Sequence, residues 1–544
     1  MFDKIKNISE LITYQAKKFP DKTSIALAKK KMTGGYKYPS YTFTQLDKRI
    51  NKISNRLSNL GVKPSDKVLF FVKPNLDFSA ITFALFRLGA TTVFIDPGMK
   101  KEYFLEAIEE VKPDVLIGIP RVHIFRHFKA KYFANIKLFI TTGKFLNLKS
   151  HSIYKGLKKL DDNFNAFKPD TNSLAAILYT SGGTGKPKGV CYTHNTFIHQ
   201  TKILQKEFDL TSNDVDIPGF PLFSFFTLAL GMKSCIPDMD AARPGECDPS
   251  LLYRNITDNQ ATFAAGSPAI WERLADYCLK QNLTLPSIKR MTMFGAPVTV
   301  DLHQKFSNIL PNGTTYTPYG ATECLPVTNN SGEYILKNTW RNTNNGDGVC
   351  VGKPMLGIKL KIIKSSDDLI SSLKHVQVLA PFGIGEIIVT GPNVTESYYE
   401  NERATILAKI RDGNNIWHRM GDVGYLDEQG LLWFCGRKAH VVSYQNQFFY
   451  PIQIEAIYNQ HPKVKRSALV AHPKTGVPTV VIERHDRVTD LNDLFLMDMR
   501  NLSQNNKFTK TIKNFFAVND FPVDTRHNIK IDRIKLAEMI KELR

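Results

Sequence analysis

The chain has 544 residues, 42% hydrophobic and 23% charged, with 72 Lys and Arg against 51 Asp and Glu for a net charge of +21. That length exceeds what one hydrophobic core serves, so two or more domains are expected, and the balanced composition excludes fibrous and disordered classes. The positive excess raises nucleic acid, an acidic membrane surface and small anions as partners. The basic residues read as spread among acidic neighbours, without a zinc-finger or RRM-type signature, so a solvated lysine-rich surface is expected and no nucleic-acid partner.

In chain order, Asp3, Lys4, Lys6, Glu10, Lys17 and Lys18 interrupt any signal-peptide apolar region, while Ile5, Ile8, Leu11 and Ile12 repeat at helical spacing. KVLFFV at 67–72 predicts a buried strand, followed over 77–88 by a helix with Phe78, Ile81, Leu85 and Leu88 on one face. A second strand is expected at 91–95, ended by the turn Asp96-Pro97-Gly98, and a third between Pro113 and Gly118. The apolar run 217–232 is broken by Pro218, Gly219, Pro221 and Ser224 and is shorter than the roughly 20 residues of a membrane span, so it predicts buried wall or pocket lining. Trp433-Phe434-Cys435 predicts a strand, Gly436-Arg437-Lys438 a basic turn, and the remainder is long enough for a separate compact domain. Strands alternating with helices predict an α/β fold with parallel sheets. The seven cysteines are scattered without a C-x-x-C pair, which speaks against a zinc site or a disulfide framework and fits a reducing cytoplasm.

The strongest local signal is Tyr179-Thr180-Ser181-Gly182-Gly183-Thr184-Gly185-Lys186-Pro187-Lys188-Gly189-Val190, led in by the apolar run 175–178. Glycines let the backbone curl and aim N–H groups at an anion, and hydroxyls and lysines add donors and charge. It is not a Walker A loop, because Thr180 and Pro187 stand where that motif needs Gly and Ser or Thr.

This segment resembles the phosphate-binding loop of the adenylate-forming superfamily, which comprises acyl-CoA synthetases, peptide-synthetase adenylation domains and luciferases. Further matching segments follow in the family's order: Gly295-Ala296-Pro297, Tyr319-Gly320-Ala321-Thr322-Glu323, Val351-Gly352-Lys353-Pro354, Gly385-Glu386-Ile387, Gly421-Asp422-Val423-Gly424-Tyr425, Gly436-Arg437-Lys438 and Asn528-Ile529-Lys530-Ile531-Asp532-Arg533. The resemblance implies a large N-terminal domain of stacked α/β subdomains (1–435), a hinge (436–440) and a small mobile C-terminal α+β domain (441–544) carrying Lys530. It implies activation of a carboxylate as acyl-AMP with release of pyrophosphate, using ATP and Mg²⁺. By resemblance, Thr180, Ser181, Gly182, Gly183, Thr184, Gly185 and Lys188 surround the phosphates, and Gly295, Ala296, Pro297, Tyr319 and Gly320 lie at adenine. Asp422 takes the ribose hydroxyls, and Arg437 takes ribose or phosphate. Thr322, Glu323 and Lys530 are the implied catalytic residues, with Glu323 also the Mg²⁺ ligand and Lys530 placed between the α-phosphate and the carboxylate.

Three departures bear on the substrate. Ser224 stands where the family has a histidine, and Phe220, Phe223, Phe225, Phe226 and Leu228 form an apolar stretch that lines a site for a long aliphatic chain or serves as ordinary core. Arg437-Lys438-Ala439-His440 lacks the acidic residues of acyl-CoA synthetases. Gln445-Asn446-Gln447-Phe448-Phe449-Tyr450-Pro451 replaces the segment that positions CoA, which speaks against CoA as acceptor. Together with the wording at 94–99, 236–240, 319–327 and 521–528, these resemble the β-lactone synthetases of bacterial long-chain olefin biosynthesis. That branch activates a 2-alkyl-3-hydroxy fatty acid, whose own hydroxyl then displaces AMP to close a β-lactone. A medium- or long-chain fatty acyl-CoA or acyl-AMP ligase is the alternative. The implied partner is a fatty-acid-type small molecule, with association with a membrane surface or with olefin-pathway enzymes left open.

Overall fold

The computed structural model describes residues 2–96, 98–143, 149–180, 186–489, 491–523 and 531–541, apart from the side chains of Asp3 and Thr180. The first sheet runs in the order Lys188–Thr193, Leu174–Thr180, Thr91–Ile95, Lys67–Phe71, Val115–Gly118, Leu138–Thr141, His151–Ser152, with every neighbouring pair parallel except the first. Its inner strands are continuous apolar runs such as VLIG, as expected of a parallel sheet covered on both faces. The second sheet runs Thr314–Tyr316, Arg290–Met293, Phe263–Gly266, Val215–Pro218, Lys233–Ile236, Thr23–Leu27, Ser40–Thr42, parallel but for the last pair. A third, antiparallel sheet runs Tyr319–Ala321, Cys324–Asn329, Val349–Pro354, Leu432–Arg437, Asn415–Leu426, Gly385–Thr390, Lys359–Ile363, with Lys409–Asp412 added to Asn415–Leu426. Beyond it come the hairpin Val442–Tyr444/Gln447–Phe449 and a three-stranded sheet, Val464–Ala471, Pro478–Arg484 and Asn514–Val518. The fold is α/β with mixed sheets, and the strands expected at 67–72, 91–95, 113–118 and 433–435 are all present.

The one-faced helix expected over 77–88 is corrected by the structure. In helix Leu76–Leu88 every residue from Asp77 to Leu88 is buried. It packs against helix Phe43–Asn59, against Thr91–Ile95 of the first sheet and against Thr23–Leu27 of the second, so no face is left for solvent. The Asn75 side chain caps its start by accepting from the Asp77 N–H at 2.7 Å. Gly89 ends it at φ +79°, where a Cβ would strike the Phe167 ring at 2.5 Å. The buried Arg87 guanidinium near its end is matched by Asp47 at 2.8 Å.

The run 217–232 is split between a strand, a short turn and helix Ser224–Ala229. Phe225 and Leu228 are core, with the Phe225 ring 5.6 Å from Phe83 and 5.8 Å from Phe78. Phe220, Phe223 and Phe226 are only half-buried. All seven cysteines are buried and free. Among the described residues no helix is long and apolar enough to cross a membrane.

Asp216, in the middle of the second sheet, is fully buried. Its Oδ2 accepts from Thr227 at 2.8 Å and Ser234 at 3.2 Å, while Oδ1 has no partner among the described residues. Burial pushes the carboxyl up to about 7 against the pull of those two hydroxyls. Its unfolded value is about 3.9, so between about pH 4 and 7 the folded chain holds a proton that the unfolded chain has lost. Stability therefore falls as pH rises through that window and levels off above it. Asp216→Asn should remove this slope, so the difference in thermal midpoint between variant and parent should shift in the variant's favour from acid to mildly alkaline pH. An identical difference at both ends would mean that the carboxyl is ionised in the folded chain.

Candidate active site

The strand Leu174–Thr180 carries the chain into the glycine-rich turn, and Lys188–Thr193 returns antiparallel, with Tyr179 opposite Gly189 and Thr180 opposite Lys188. Ser181, Gly182, Gly183, Thr184 and Gly185 lie outside the described residues, as does the Thr180 side chain. Gly189 is required by packing, since a Cβ there would meet the Tyr179 ring at 2.7 Å and Ile177 at 2.8 Å. The stretch 397–399 lies beside the returning strand: the Tyr399 N–H donates to the Gly189 carbonyl at 2.7 Å and the Cys191 N–H to the Ser397 carbonyl at 3.1 Å. The exposed Lys188 holds its ammonium 5.0 Å from the centre of the Tyr398 ring.

Tyr398 joins this strand to Glu323. Its hydroxyl donates to Glu323 Oε1 at 2.6 Å. The Glu323 carbonyl accepts from the Thr395 N–H at 2.9 Å and hydroxyl at 3.0 Å, and the Thr322 carbonyl accepts from Tyr192 at 2.5 Å. Behind them lies the buried Lys409, whose ammonium donates to the Thr395 carbonyl and, at 3.3 Å, to its hydroxyl. Burial lowers the Lys409 pKa to about 8, opposed first by the charge of Glu323. Glu323 thus has its backbone fixed on one side and one carboxylate oxygen aimed by a phenol.

A second cluster forms where Asp422 and Arg437 face each other on adjacent antiparallel strands. Arg437 donates to Asp422 Oδ1 at 2.9 Å and the Tyr319 hydroxyl donates to Oδ2 at 2.6 Å. Burial raises the Asp422 pKa, with Arg437 and Tyr319 pulling it down. Desolvation and the neighbouring Asp422 push the Tyr319 phenol up. Gly320 is fixed by contact, because a Cβ would strike the Cys324 carbonyl at 2.7 Å. Gly295, Ala296 and Pro297 leave the carboxyl end of strand Arg290–Met293, the parallel neighbour of the strand that leads to Tyr319. That is the edge at which open α/β sheets take ligands. Gly295 is exposed at φ +89°. Phe294, directly before it, packs on Phe223 at 5.7 Å and on Phe220 at 6.4 Å, so the half-buried aromatic wall abuts this turn. Ser224, in the position the histidine would take, is buried, donates to the Pro221 carbonyl at 2.7 Å and lies 3.2 Å from the Ser79 hydroxyl.

Lys530 lies outside the described residues. Of the residues that follow it, Ile531 bridges to Val523 and Arg533 pairs with Glu455 at 2.6 Å. His440 is lowered to about 4 by burial first and then by the charges of Arg533 and Arg437. Tyr192, Thr395, Tyr398 and Lys409 were not singled out by the sequence. They lie far from Glu323 along the chain, and their side-chain types are common in any core or surface. Among the described residues there is no group of three His, Cys, Asp or Glu that would hold a metal unaided. The one half-buried carboxylate of Glu323 fits Mg²⁺ whose other ligands are phosphate oxygens and water.

The AMP-binding enzyme family matches residues 12–399. An olefin β-lactone synthetase of Xanthomonas campestris is 36% identical over 98% of this chain and 97% of its own, and one of Stenotrophomonas maltophilia is 35% identical over the same shares. In fold, the chain is similar to ATP-bound MatB of Rhodopseudomonas palustris, with a TM-score of 0.78 at 22% identity over 98% of this chain and 99% of that one. The chain belongs to the AMP-binding enzyme family and is an adenylate-forming ligase.

The Asp422–Arg437 pair gives a test of the site's own electrostatics. Arg437→Met strands a buried carboxylate and should cost about 2 to 4 kcal/mol of stability, most of it recovered in Arg437→Met/Asp422→Asn. Urea midpoints of the parent, both single variants and the double variant measure the coupling. Additive losses would show that the two groups do not depend on one another.

Proposed function

We propose that the chain activates a long-chain 2-alkyl-3-hydroxy fatty acid as its acyl-AMP and then closes it to a β-lactone. The observation that carries this reading is the full-length similarity to olefin β-lactone synthetases, whose name states that product. Two local features support it. The half-buried wall of Phe220, Phe223, Phe226 and Phe294 suits an aliphatic chain next to the nucleotide turn. The residues that replace the glycine-rich CoA-positioning stretch form a tight hairpin turned by Gln445 and Asn446, both at positive φ, with Phe448 63% exposed.

In this reading Thr180, the loop 181–185 and Lys188 hold the phosphates, and Gly295, Ala296, Pro297, Tyr319 and Gly320 hold adenine. The lone pairs left on Asp422 take the ribose hydroxyls, with Arg437 at ribose or phosphate. Thr322 and Glu323 lie at the phosphates, and Glu323, aimed by Tyr398, holds Mg²⁺, which when bound neutralises phosphate charge. Two anions must meet, so Lys530, carried on the C-terminal domain 441–544 beyond a hinge at 436–440, screens the repulsion between carboxylate and α-phosphate. A carboxylate oxygen bonds to the α-phosphorus and pyrophosphate leaves. The 3-hydroxyl oxygen then bonds to the acyl carbon, AMP leaves with the mixed-anhydride oxygen, and the hydroxyl proton is released. Proximity favours the ring despite its strain, and the good leaving group drives it. The buried, unpaired thiols fit a reducing cytoplasm as the setting.

With ATP, a 2-alkyl-3-hydroxy acid should give AMP and a product one water lighter by mass spectrometry, unaffected by CoA. The analogue lacking the 3-hydroxyl should stop at the acyl-adenylate. A thioester as the main product would overturn the lactone and leave a CoA ligase.

Lys530→Ala should lower pyrophosphate release by at least about 100-fold with ATP affinity almost unchanged, because its charge acts mainly in the transition state. Retained turnover would remove Lys530 from the reaction. Tyr398→Phe frees the Glu323 carboxylate from its hydrogen bond and should raise the Mg²⁺ concentration needed for half-maximal rate about 10-fold. An unchanged Mg²⁺ curve would separate Glu323 from the metal.

A further inference from the structure

The even scatter of basic residues suggested by composition fails in one place: residues 115–160 carry ten Lys or Arg and no Asp or Glu. Within this run the fold builds strand Val115–Gly118, helix Pro120–Phe128 and the short turn Ala130–Phe133. His123 and Arg126 face the core, the Arg126 guanidinium lying 3.5 Å from the centre of the Phe139 ring. The opposite face presents Arg121, Ile124 and Phe128 at helical spacing, with Ile124 39% and Phe128 79% exposed. An open cleft of about 500 Å³ beside them is lined by Lys73, Ile119, Pro120, Arg121 and Ile124. Lys129 follows Phe128 directly, and Lys131 comes two residues further on. Lys137 is paired with Asp114 at 3.2 Å, whereas among the described residues no acidic side chain lies within ion-pair distance of Lys73, Arg121, Lys129 or Lys131.

We propose that this face docks on an anionic phospholipid surface, with Ile124 and Phe128 entering the boundary between headgroups and acyl chains and the four cations pairing with lipid phosphates. An aliphatic and an aromatic side chain on one helical face, ringed by cations, is the pattern of interfacial helices. Protein–protein interfaces are depleted in Lys, and an exposed Ile offers nothing to a stacked nucleobase. The location adds weight. Lys73 and Ile119 follow the carboxyl ends of their strands, the edge from which the phosphate-loop strand Leu174–Thr180 also leaves, two and three places along the sheet respectively. At the spacing of neighbouring strands that is about 10 to 14 Å. Docking would therefore set this edge of the first sheet against the lipid. A single short helix gives reversible rather than permanent attachment. The inference goes beyond the proposed reaction and stands whichever acid is activated.

The test uses the full chain and sedimentation with vesicles of phosphatidylglycerol mixed with phosphatidylcholine, against phosphatidylcholine alone, at low and high salt. Binding is expected only to the anionic vesicles and should weaken with salt. Ile124→Asp/Phe128→Asp and, separately, Arg121→Glu/Lys131→Glu should each weaken binding at least about 10-fold, since one basic residue near such a surface is worth about 5-fold. Thermal midpoint and adenylation of a water-soluble acid should be unchanged in both. Equal binding of the parent to the two vesicle types, or undiminished binding of both variants, would overturn the proposal. So would loss in both variants of binding to RNA or to a protein when the parent ignores vesicles.

Discussion

One short segment holds the candidate site together. Residues 394–399 belong to no regular strand, yet Val394 bridges to Cys324 of the third sheet and Tyr398 bridges to Val190 of the first. Thr395 donates twice to the Glu323 carbonyl, and Tyr399 donates to the Gly189 carbonyl. The strand that returns from the glycine-rich turn and the strand pair that carries Glu323 are therefore registered to each other by backbone hydrogen bonds. These are groups that must be paired once buried, which leaves the segment little freedom. Tyr398 sits at the crossing, with its ring under Lys188 and its hydroxyl on Glu323. A displacement of the segment would move the positive and the negative side of the site together.

Electrostatics act within this frame in two different ways. Asp422 and Arg437 sit opposite each other in register, so the backbone fixes their geometry before either charge contributes, and the desolvation each suffers is offset by the other. Among the described residues Lys409 has no carboxylate as direct partner, and it is held by the Thr395 oxygens. Its charge reaches Glu323 only through the low-dielectric interior, where such influence carries further than in water. The first arrangement fixes a side chain, and the second biases one that, in the proposed reading, remains available to a ligand.

The build of the candidate site was legible where the residue type is itself the device. Glycines with backbone or rings where a Cβ would be, as at Gly189 and Gly320, and the acid and base of Asp422 and Arg437 stand in recognisable local words. What the words could not give was the company these residues keep. Tyr398 meets Glu323 from 75 positions away, and Lys409 meets Thr395 across the helix Glu402–Ala408, so neither leaves a local pattern. Periodicity failed at helix Leu76–Leu88 for a related reason. With apolar residues all round, choosing one face was arbitrary, and the two sheets buried the other face as well. The phenylalanine-rich stretch was ambiguous in the same way, and the fold divided it, sending Phe225 to the core and leaving Phe223 beside Phe294.

The division of those phenylalanines bears on how a lactone would form in preference to hydrolysis. An acyl-adenylate is open to attack by water, and a slow intramolecular closure succeeds only if water is kept from the acyl carbon. The wall of Phe220, Phe223 and Phe294 ends at the turn that opens with Gly295, so in the proposed reading the aliphatic part of the substrate is apolar-lined up to the point where the nucleotide begins. Ser224, buried and bonded to the Pro221 carbonyl and the Ser79 hydroxyl, presents no base there. A histidine in that position would add a titratable side chain next to a reactive anhydride. Its replacement by a buried, hydrogen-bonded serine suits the proposed reaction, whose nucleophile is already part of the substrate.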